Sequence, residues 1–552
     1  MTEEERMSTA TQAIQAAWQK IFLDAPGFDQ TNAYKTLLSL ATQPIDLTQE
    51  GVLSPERLKN YKAQGAGYTL LYGFERLNDK TLTELFQLAQ ERKALDQMEY
   101  MQKGEMVNFI AGFESERRPA LHTATRDLFE NPQTGQKAQE YRENSLKEHK
   151  KLEQFLTKID QEKRFSEMIF VGIGGSELGP RALYQSLGFY TKKDRKVHFI
   201  GNVDPDDVGI ALRDADLARA LVVVISKSGT TIETATNEEF LRNEFQKQGL
   251  KPQEHFIAVT QPGTPMDDPS RYVESFYLWE AIGGRYSSTS MVGGVLIGFA
   301  CGYDHFYQLC RGAHDMDLVA LRREEKQNLP LLGALFGIWN RNFLHYPTVA
   351  VIPYSRQLAR FPAHLQQCDM ESNGKRIDRK ANVTKFQTGP IIWGEPGTNA
   401  QHSFFQLIHQ GTSIVPLELI GFLHAQGEAD FEYKGTSSQE KLLANLFAQA
   451  IALAKGQKNP NPNKLFGGNR PSSLLLSRKL TPYSLGALLS YYEHKIAFQG
   501  FIWGINSFDQ EGVQLGKQLA DKTSNLFAAR RQGTSAEPFP LGQALIDICE
   551  EI

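Results

Sequence analysis

One carboxylate, Glu371, lies in a short polar segment at 367–375 that follows a turn-rich stretch at 353–356. A carboxylate can take a proton from one carbon atom and return it to a neighbouring one, so Glu371 is a candidate general base. An Asp/Glu pair beside Ser-Asn-Gly is, however, usually a solvated turn. The interpretation of Glu371 therefore depends on the other polar residues of the chain.

Two loops that follow predicted strands carry groups suited to an anion. The first, at 172–179, contains four glycines, which let the backbone approach a ligand closely. The second, at 226–231, places four hydroxyls at a predicted helix N-terminus, where the helix dipole favours a phosphate. One such loop could equally be a set of helix caps. Two of them at neighbouring strand ends favour a phosphate site.

Three further residues could stabilise charge or transfer protons. Arg285 follows two glycines and could reach a ligand anion or a developing oxyanion, although a structural salt bridge is the simpler explanation for it alone. His402 ends a Gly/Pro-punctuated loop after a predicted strand, where a structural role and an acid–base role are equally plausible. Lys517 ends the polar segment 509–517 and could supply positive charge or a proton.

Nucleotide and metal sites are not supported by the residue spacing. Gly172, Gly174 and Gly179 match a dinucleotide-binding pattern only loosely, and the lysine of a Walker loop is absent from both loops. The histidines show no metal-ligand spacing, so no metal site is predicted. Cys368, three residues before Glu371, is predicted to be a buried and inert thiol.

The elements that must position these residues alternate between short apolar strands and helices. Runs rich in Val and Ile, typical of parallel strands buried on both faces, occur at 168–171, 197–200, 221–225 and 256–259. A second set of short apolar runs follows at 348–352, 390–393, 413–417 and 474–476. A helix is predicted from about 438 to 455, because Ser437 and Glu440 can form a capping box and Gly456 supplies its end.

This pattern predicts an α/β fold with two doubly wound parallel-sheet domains. We place the first domain, with the phosphate loops, at 136–315, and the second, with the C-terminal helices, at 316–552. Residues 1–135 are predicted to form a helical N-terminal region that packs on the second α/β domain.

Composition narrows the possible functions and partners. The 552 residues suggest two or three domains, and 60 basic against 64 acidic residues leave a net charge of −4, which argues against a general nucleic-acid binder. The four cysteines have no paired spacing and fit free thiols in a reducing compartment. The acidic N-terminus is no secretory signal, and the longest apolar stretch is shorter than the roughly 20 residues of a membrane span. We expect a cytoplasmic protein with no membrane or nucleic-acid partner.

Six motifs together closely resemble the phosphoglucose isomerase family, and they occur in the family's order. They are Gly-Ile-Gly-Gly-Ser-Glu-Leu-Gly-Pro (172–180), Ser-Lys-Ser-Gly-Thr-Thr (226–231), Gly-Gly-Arg-Tyr-Ser (283–287), Met-Glu-Ser-Asn-Gly-Lys (370–375), the loop 394–411, and Gly-Val-Gln-Leu-Gly-Lys (512–517). Six motifs in register are far more specific than any one of them. The chain departs from many family members at Thr289, just after the Gly-Gly-Arg stretch, where those members have a tryptophan.

The resemblance implies two sugar-isomerase (SIS-type) α/β domains, a homodimer with sites at the subunit interface, and no cofactor. It also implies interconversion of glucose 6-phosphate and fructose 6-phosphate in glycolysis and gluconeogenesis. By matching motif positions, it assigns substrate-binding roles to Gly175, Ser176, Ser226, Lys227, Ser228, Thr231, Gln367 and Gln510.

Catalytic roles are implied in the same way. Glu371 would carry a proton between C1 and C2, and Arg285 would stabilise the enediolate. His402, contributed by the partner subunit and oriented by Glu233, would open the sugar ring together with Lys517. A catalytically silent sugar-phosphate sensor is an alternative, but it would not need these four catalytic residues. A second alternative is a nicotinamide-dependent enzyme that binds its cofactor at the first glycine loop. A change in the absorbance of added cofactor during turnover would reveal such an enzyme.

Overall fold

The computed structural model describes residue 16 and residues 18–552, which form two compact units. The described residues up to Ser507 form the first unit, and Phe508–Ile552 form the second. Both large sheets lie in the first unit. Most of the predicted site residues are there as well, whereas Gln510 and Lys517 belong to the second. The division of the chain at 135/136 and 315/316 stays a prediction.

The strands are numbered here in chain order. They are β1 (Lys62–Gly65), β2 (Tyr68–Leu71), β3 (Met106–Asn108), β4 (Arg118–Pro119), β5 (Glu167–Val171), β6 (Lys196–Ile200), β7 (Ala220–Ile225), β8 (Phe256–Thr260), β9 (Glu274–Tyr277), β10 (Thr348–Pro353), β11 (Ile391–Trp393), β12 (Leu417–His424), β13 (Glu432–Tyr433), β14 (Thr436–Ser437) and β15 (Ser472–Lys479).

The α-helices of the described residues are numbered in the same way. They are α1 (Asn32–Ala41), α2 (Pro55–Asn60), α3 (Asp79–Glu91), α4 (Ala94–Gln102), α5 (Gln136–Glu162), α6 (Leu178–Ser186), α7 (Pro205–Asp214), α8 (Ile232–Lys247), α9 (Met291–Cys301), α10 (Tyr303–Ala320), α11 (Leu329–Ile338), α12 (Phe361–Leu365), α13 (Phe405–Gln410), α14 (Ser438–Lys455), α15 (Pro482–Trp503), α16 (Gln514–Gln532) and α17 (Pro540–Glu551).

The first sheet is parallel throughout and has the order β6-β5-β7-β8-β9. Its strands β5, β7 and β8 are buried along their whole length, which confirms the prediction drawn from their Val- and Ile-rich runs. One face packs on α7 and α8 through residues such as Val208 and Leu241. Fully burying such a side chain contributes about 1.5–3 kcal/mol, so this sheet is a rigid support for the loops at its edge.

The second sheet is mixed and has the order β1-β2-β15-β12-β10-β11. Strands β15, β12, β10 and β11 are parallel, as predicted, but β2 pairs antiparallel with β15, and β1 extends the edge. The N-terminal region therefore contributes two strands to this sheet, in addition to the predicted helices. Residues 1–15 and 17 of that region lie outside the described residues.

The predicted strand at 413–417 is wrong in its bounds. The strand β12 begins at Leu417 and runs to His424, because Pro416 cannot donate a hydrogen bond to a neighbouring strand. The predicted helix at 438–455 is confirmed as α14, with both hydrogen bonds of the Ser437–Glu440 capping box and Gly456 at its end.

Two helices of the first unit are buried on every side. All residues of α9 are buried, and nearly all of α15, which packs against α10 and α11. α9 is apolar all round because no face meets water, whereas α15 also buries Glu493 and His494, which take part in ion pairs. Among the described residues, no helix is both long and apolar enough to cross a membrane.

Candidate active site

The two predicted phosphate loops lie side by side at the carboxyl edge of the first sheet. In the sheet, β6 lies on one side of β5 and β7 on the other. The direction in which successive strands are added to the sheet therefore reverses between β5 and β7. The loop 172–179 follows β5, and the loop 226–231 follows β7. Ligands of open α/β sheets bind at such a reversal, so the fold places both loops where a ligand is expected.

Glycine in the first loop permits a close contact with the loop that carries Arg285. A Cβ atom at Gly175 would lie 2.2 Å from the carbonyl carbon of Gly284, so no other residue fits there without a shift of the backbone. Ser176 ends a 3₁₀ turn just before α6, which begins without a side-chain cap. The first N–H groups of α6 are therefore available to an anion.

The second loop turns its hydroxyls toward one another at the start of α8. The Oγ atoms of Ser226 and Thr231 are 2.9 Å apart, and those of Ser228 and Thr230 are also 2.9 Å apart. Gly229 has a φ of +69°, which glycine adopts without strain. Thr231 precedes α8 but does not cap it with its side chain, so the first turn of α8 also offers free N–H groups.

Lys227 is directed at backbone carbonyls of the loop before Arg285. Its ammonium donates to the carbonyl oxygens of Glu280 at 2.7 Å and Ile282 at 3.0 Å. Burial and, to a smaller extent, the charge of neighbouring Arg118 lower the pKa of Lys227 to about 8. Lys227 thus holds the Arg285 loop in place next to the second loop. An ammonium has three N–H donors, and these two hydrogen bonds use two of them. The third would make the predicted contact with a phosphate.

Glu371 ends a π-helical turn, Gln366–Glu371, that continues directly from α12. Such turns are rare and occur frequently at functional sites. The following Ser372 and Asn373 are both fully buried, so this segment is not the solvated turn that its composition alone would favour. The side chain of Glu371 is 22% exposed, and its Oε2 lies 3.3 Å from Nη1 of Arg285.

Arg285 is the most deeply buried cation of this site, with 2% of its surface exposed. Its Nε donates to Oγ of Ser372 at 2.7 Å, and its Nη2 donates to the carbonyl oxygen of Ser507 at 2.7 Å. The structure therefore brings together Glu371 and Arg285, which are 86 residues apart in the chain. Ser372 and Ser507 were not predicted, although Ser372 is adjacent to Glu371 within a recognised motif.

Gln367 links the Glu371 turn to the first phosphate loop. Its Nε2 lies 3.5 Å from the position that a Cβ of Gly174 would occupy. Its Oε1 is buried and accepts no hydrogen bond within the described part of the chain. A buried and unsatisfied carbonyl oxygen favours a hydroxyl-bearing ligand, because leaving it unpaired costs about 1–3 kcal/mol.

Within the described part of the chain, no hydrogen bond or ion pair joins His402 and Glu233. His402 ends the 3₁₀ turn Asn399–His402 with an exposed side chain, and Glu233 lies in the first turn of α8. Neither side chain forms a hydrogen bond or ion pair with another described residue. Their predicted pairing across a subunit interface stays a prediction.

Gln510 and Lys517 belong to the second unit. Gln510 immediately precedes the 3₁₀ turn Glu511–Val513, and Lys517 lies in the first turn of α16, where its side chain is exposed. Their predicted roles in substrate binding and ring opening stay predictions.

Cys368 is buried beside a histidine, His364. Its Sγ lies 3.3 Å from Nε2 of His364, four residues earlier in the same helical segment. Burial raises the pKa of the Cys368 thiol well above its usual range and lowers the pKa of His364 to about 4. Both groups are therefore neutral near pH 7, so this pair does not activate a thiolate, in agreement with the prediction of an inert thiol.

A buried ion cluster next to the site was also missed, because its members are scattered along the chain. Arg126 forms ion pairs with Asp317 at 2.7 Å and with Glu493 at 2.6 Å, and His494 approaches Asp317 at 2.6 Å. Thr289 is fully buried beside this cluster, and its Oγ1 accepts from Nη1 of Arg126 at 3.4 Å. The small Thr289 side chain thus takes part in a polar contact with this cluster.

Comparison with known proteins gives one consistent result. The family model for phosphoglucose isomerase matches residues 72–539. A protein from Protochlamydia amoebophila named glucose-6-phosphate isomerase is 57% identical over 520 residues, which cover 94% of this chain and 96% of that protein. Its namesake from Chlamydia pneumoniae is 55% identical over 521 residues, covering 94% and 98%. The crystal structure of a glucose-6-phosphate isomerase from Chlamydia trachomatis superposes with a TM-score of 0.91 at 50% identity, covering 95% of this chain and 99% of that one.

Proposed function

The chain belongs to the phosphoglucose isomerase family. We propose which of its residues bind the substrate and which carry out each step of the reaction. It interconverts glucose 6-phosphate and fructose 6-phosphate, an aldose–ketose isomerisation of glycolysis and gluconeogenesis. The substrate is a sugar phosphate. The isomerisation moves one proton between neighbouring carbon atoms with no net oxidation, so the chemistry itself requires no redox cofactor.

Glu371 is the proton carrier in this proposal. In the open-chain aldose it takes the proton from C2, the electron pair forms the C1–C2 double bond, and the aldehyde oxygen becomes the enediolate oxygen. Glu371 then returns the proton to C1, while the proton of the C2 hydroxyl passes to the oxygen on C1, so that C1 carries a hydroxyl and C2 becomes the ketone. The half-buried position of its side chain suits this role, because one base must serve both carbon atoms while exchanging only part of the proton with solvent.

Arg285 stabilises the negative charge that develops on the enediolate. Its guanidinium is permanently charged, and Nη1 lies 3.3 Å from the carboxylate of Glu371. An enediolate that forms beside this carboxylate therefore also lies beside the guanidinium. Because Arg285 is buried and held by hydrogen bonds, it needs little reorganisation when the charge appears. Gln367 supplies a further polar contact to a substrate hydroxyl.

The phosphate binds at the two loops of the first sheet. Ser226, Ser228 and Thr231 donate from their hydroxyls, and Ser176 together with the backbone of Gly175 donates from the neighbouring loop. The starts of α6 and α8 support this proposal, since neither has a side-chain cap that occupies its first N–H groups. Lys227 adds one ammonium proton. Binding energy from the distant phosphate orients the reacting carbons.

Ring opening is assigned to His402 and Lys517, with Glu233 orienting the histidine and Gln510 contacting the substrate. His402 would come from the partner subunit of a homodimer, which accounts for its exposed position in the single chain. A cytoplasmic location forms part of this proposal, because glycolytic substrates are found there.

The observation that carries the proposal is the contact between Glu371 and the buried Arg285, next to the phosphate loops. The direct test is a coupled assay in which purified protein converts fructose 6-phosphate to glucose 6-phosphate. We expect saturable turnover without added metal or nucleotide in the isomerisation step. A folded protein that binds the sugar phosphate but does not convert it would overturn the proposal and favour a sensor.

The double variant Ser228→Ala, Thr231→Ala should weaken phosphate anchoring. Each hydroxyl donates to a dianion, and a hydrogen bond to a charged group contributes about 1.5–3 kcal/mol. We expect KM for fructose 6-phosphate and the inhibition constant of inorganic phosphate each to rise at least about tenfold. Thr236→Ala is the matched control. Thr236 lies on α8, which follows this loop, and its hydroxyl donates to the carbonyl oxygen of Ile232. An unchanged phosphate inhibition constant in the double variant would contradict the assignment.

A further inference from the structure

The hydroxyl of Ser372 connects two residues of the Arg285 loop to the turn that carries Glu371. Its Oγ accepts from Nε of Arg285 at 2.7 Å and lies 2.6 Å from the hydroxyl oxygen of Tyr286. Ser372 is fully buried, and it follows Glu371 directly in the chain. One side chain therefore fixes the distance between the segment of the proposed base and the segment of the proposed cation.

The orientation of the Arg285 guanidinium is determined by these contacts. The group is planar, so fixing two of its nitrogen atoms also fixes the direction of the third. Ser372 holds Nε, and the carbonyl oxygen of Ser507 holds Nη2 at 2.7 Å. Nη1 then faces the carboxylate of Glu371, 3.3 Å away.

The groups around Ser372 are themselves held in place. Oγ of Ser507 donates to Oδ1 of Asn373 at 2.7 Å, and Nδ2 of Asn373 donates to the carbonyl oxygen of Ile496 at 3.0 Å. Tyr286 stacks on His122 with ring centroids 4.8 Å apart. The support of Arg285 is therefore rigid, and Ser372 is the part of it that lies on the same turn as the base.

We propose that Ser372 is a positioning residue, which aims Nη1 of Arg285 at the enediolate oxygen through its hydrogen bond to Nε. This inference rests on the proposed function, because it assumes that Arg285 stabilises the enediolate. Ser372 does not touch the substrate in this account. Its removal affects the transition state more than the bound substrate, because the charge that Arg285 must meet exists only after the proton has left carbon.

The test compares Ser372→Ala with the wild-type enzyme. We expect kcat to fall about 10- to 100-fold, since a hydrogen bond to a charged group is lost. KM and the inhibition constant of inorganic phosphate should stay within about twofold, because the phosphate loops are unaltered. A phosphorylated hydroxamate that mimics the enediolate should lose affinity in parallel with kcat, whereas a sugar-alcohol phosphate, which mimics the substrate chain, should not.

Two further variants separate positioning from general damage. Ser372→Cys keeps a side chain of similar volume, but its sulfur is a weak hydrogen-bond acceptor, so kcat should also fall. This variant replaces Ser372→Ala in the test if the alanine variant does not fold. Ser186→Ala removes an equally buried hydroxyl that bonds the carbonyl of Ala182, and it should leave the ratio of the two inhibitor affinities unchanged.

Two results would overturn the inference. One is an unchanged kcat in both Ser372 variants, and the other is an equal loss of affinity for the hydroxamate and the sugar-alcohol phosphate. Neither result bears on whether the wild-type protein isomerises fructose 6-phosphate, which the coupled assay decides independently.

Discussion

Glu371→Gln should lower kcat by about 10²–10⁴-fold, the usual contribution of a general base, which corresponds to roughly 3–5.5 kcal/mol of barrier. Glutamine keeps the volume of the side chain and most of its hydrogen bonding, but it cannot accept the proton from carbon. Binding of a phosphosugar inhibitor should stay within a few-fold of normal, because the phosphate loops follow β5 and β7 on the first sheet. Turnover and inhibitor binding are the two measurements.

Glu143→Gln is the control for this variant. Glu143 is an exposed residue of α5, remote in sequence from every motif, so the same chemical change there should leave both measurements unchanged. Near-normal turnover in Glu371→Gln would exclude this carboxylate as the proton carrier. Loss of inhibitor binding together with turnover would show instead that the turn after α12 had been damaged.

His402→Ala should impair the cyclic substrate far more than an open-chain one. Ring opening requires proton transfer at the ring oxygen, and loss of an acid–base group there typically costs about 10²–10⁴-fold. A sugar phosphate too short to close a ring bypasses this step, so on such an analogue we expect only a few-fold loss. The measurement is the ratio of kcat/KM values for the two substrates.

The matched control for His402→Ala is His424→Ala, which removes an exposed histidine at the end of β12. It should not change the ratio of kcat/KM values. If His402→Ala lowers activity equally on both substrates, His402 has a structural role, and ring opening must be assigned to another group.

Strands buried on both faces were the part of the fold most easily predicted. β5 and β7 are uninterrupted apolar runs, because every side chain of a covered parallel strand meets protein. β1 was missed because polar residues such as Lys62 and Gln64 suit an exposed edge, and its place is set by pairing between β2 and β15 from the far end of the chain. β12 was misplaced because it contains Glu418, a carboxylate that forms a mostly buried ion pair with Lys495.

Candidate site residues could be proposed from the sequence where their chemistry depends on neighbouring residues. Hydroxyls and glycines at strand ends indicate an anion site without knowledge of the fold, and the motifs supplied the rest by resemblance. The contact between Arg285 and Glu371 could not be derived from spacing, since it depends on how the Gly284 loop packs on Gly175. The supporting contacts of Tyr286 and Ser507 arise only from the tertiary structure.

The most direct test of the account follows deuterium from solvent into the substrate. The reaction is run in D₂O from fructose 6-phosphate, and deuterium at C2 of the glucose 6-phosphate formed is measured for the wild-type enzyme and for Glu371→Gln. A single carboxylate that carries the proton exchanges part of it with solvent, so the wild-type product should contain deuterium at C2. In Glu371→Gln this incorporation should stop along with turnover. Incorporation at C2 at a near wild-type rate in Glu371→Gln would contradict the assignment of Glu371 as the proton carrier.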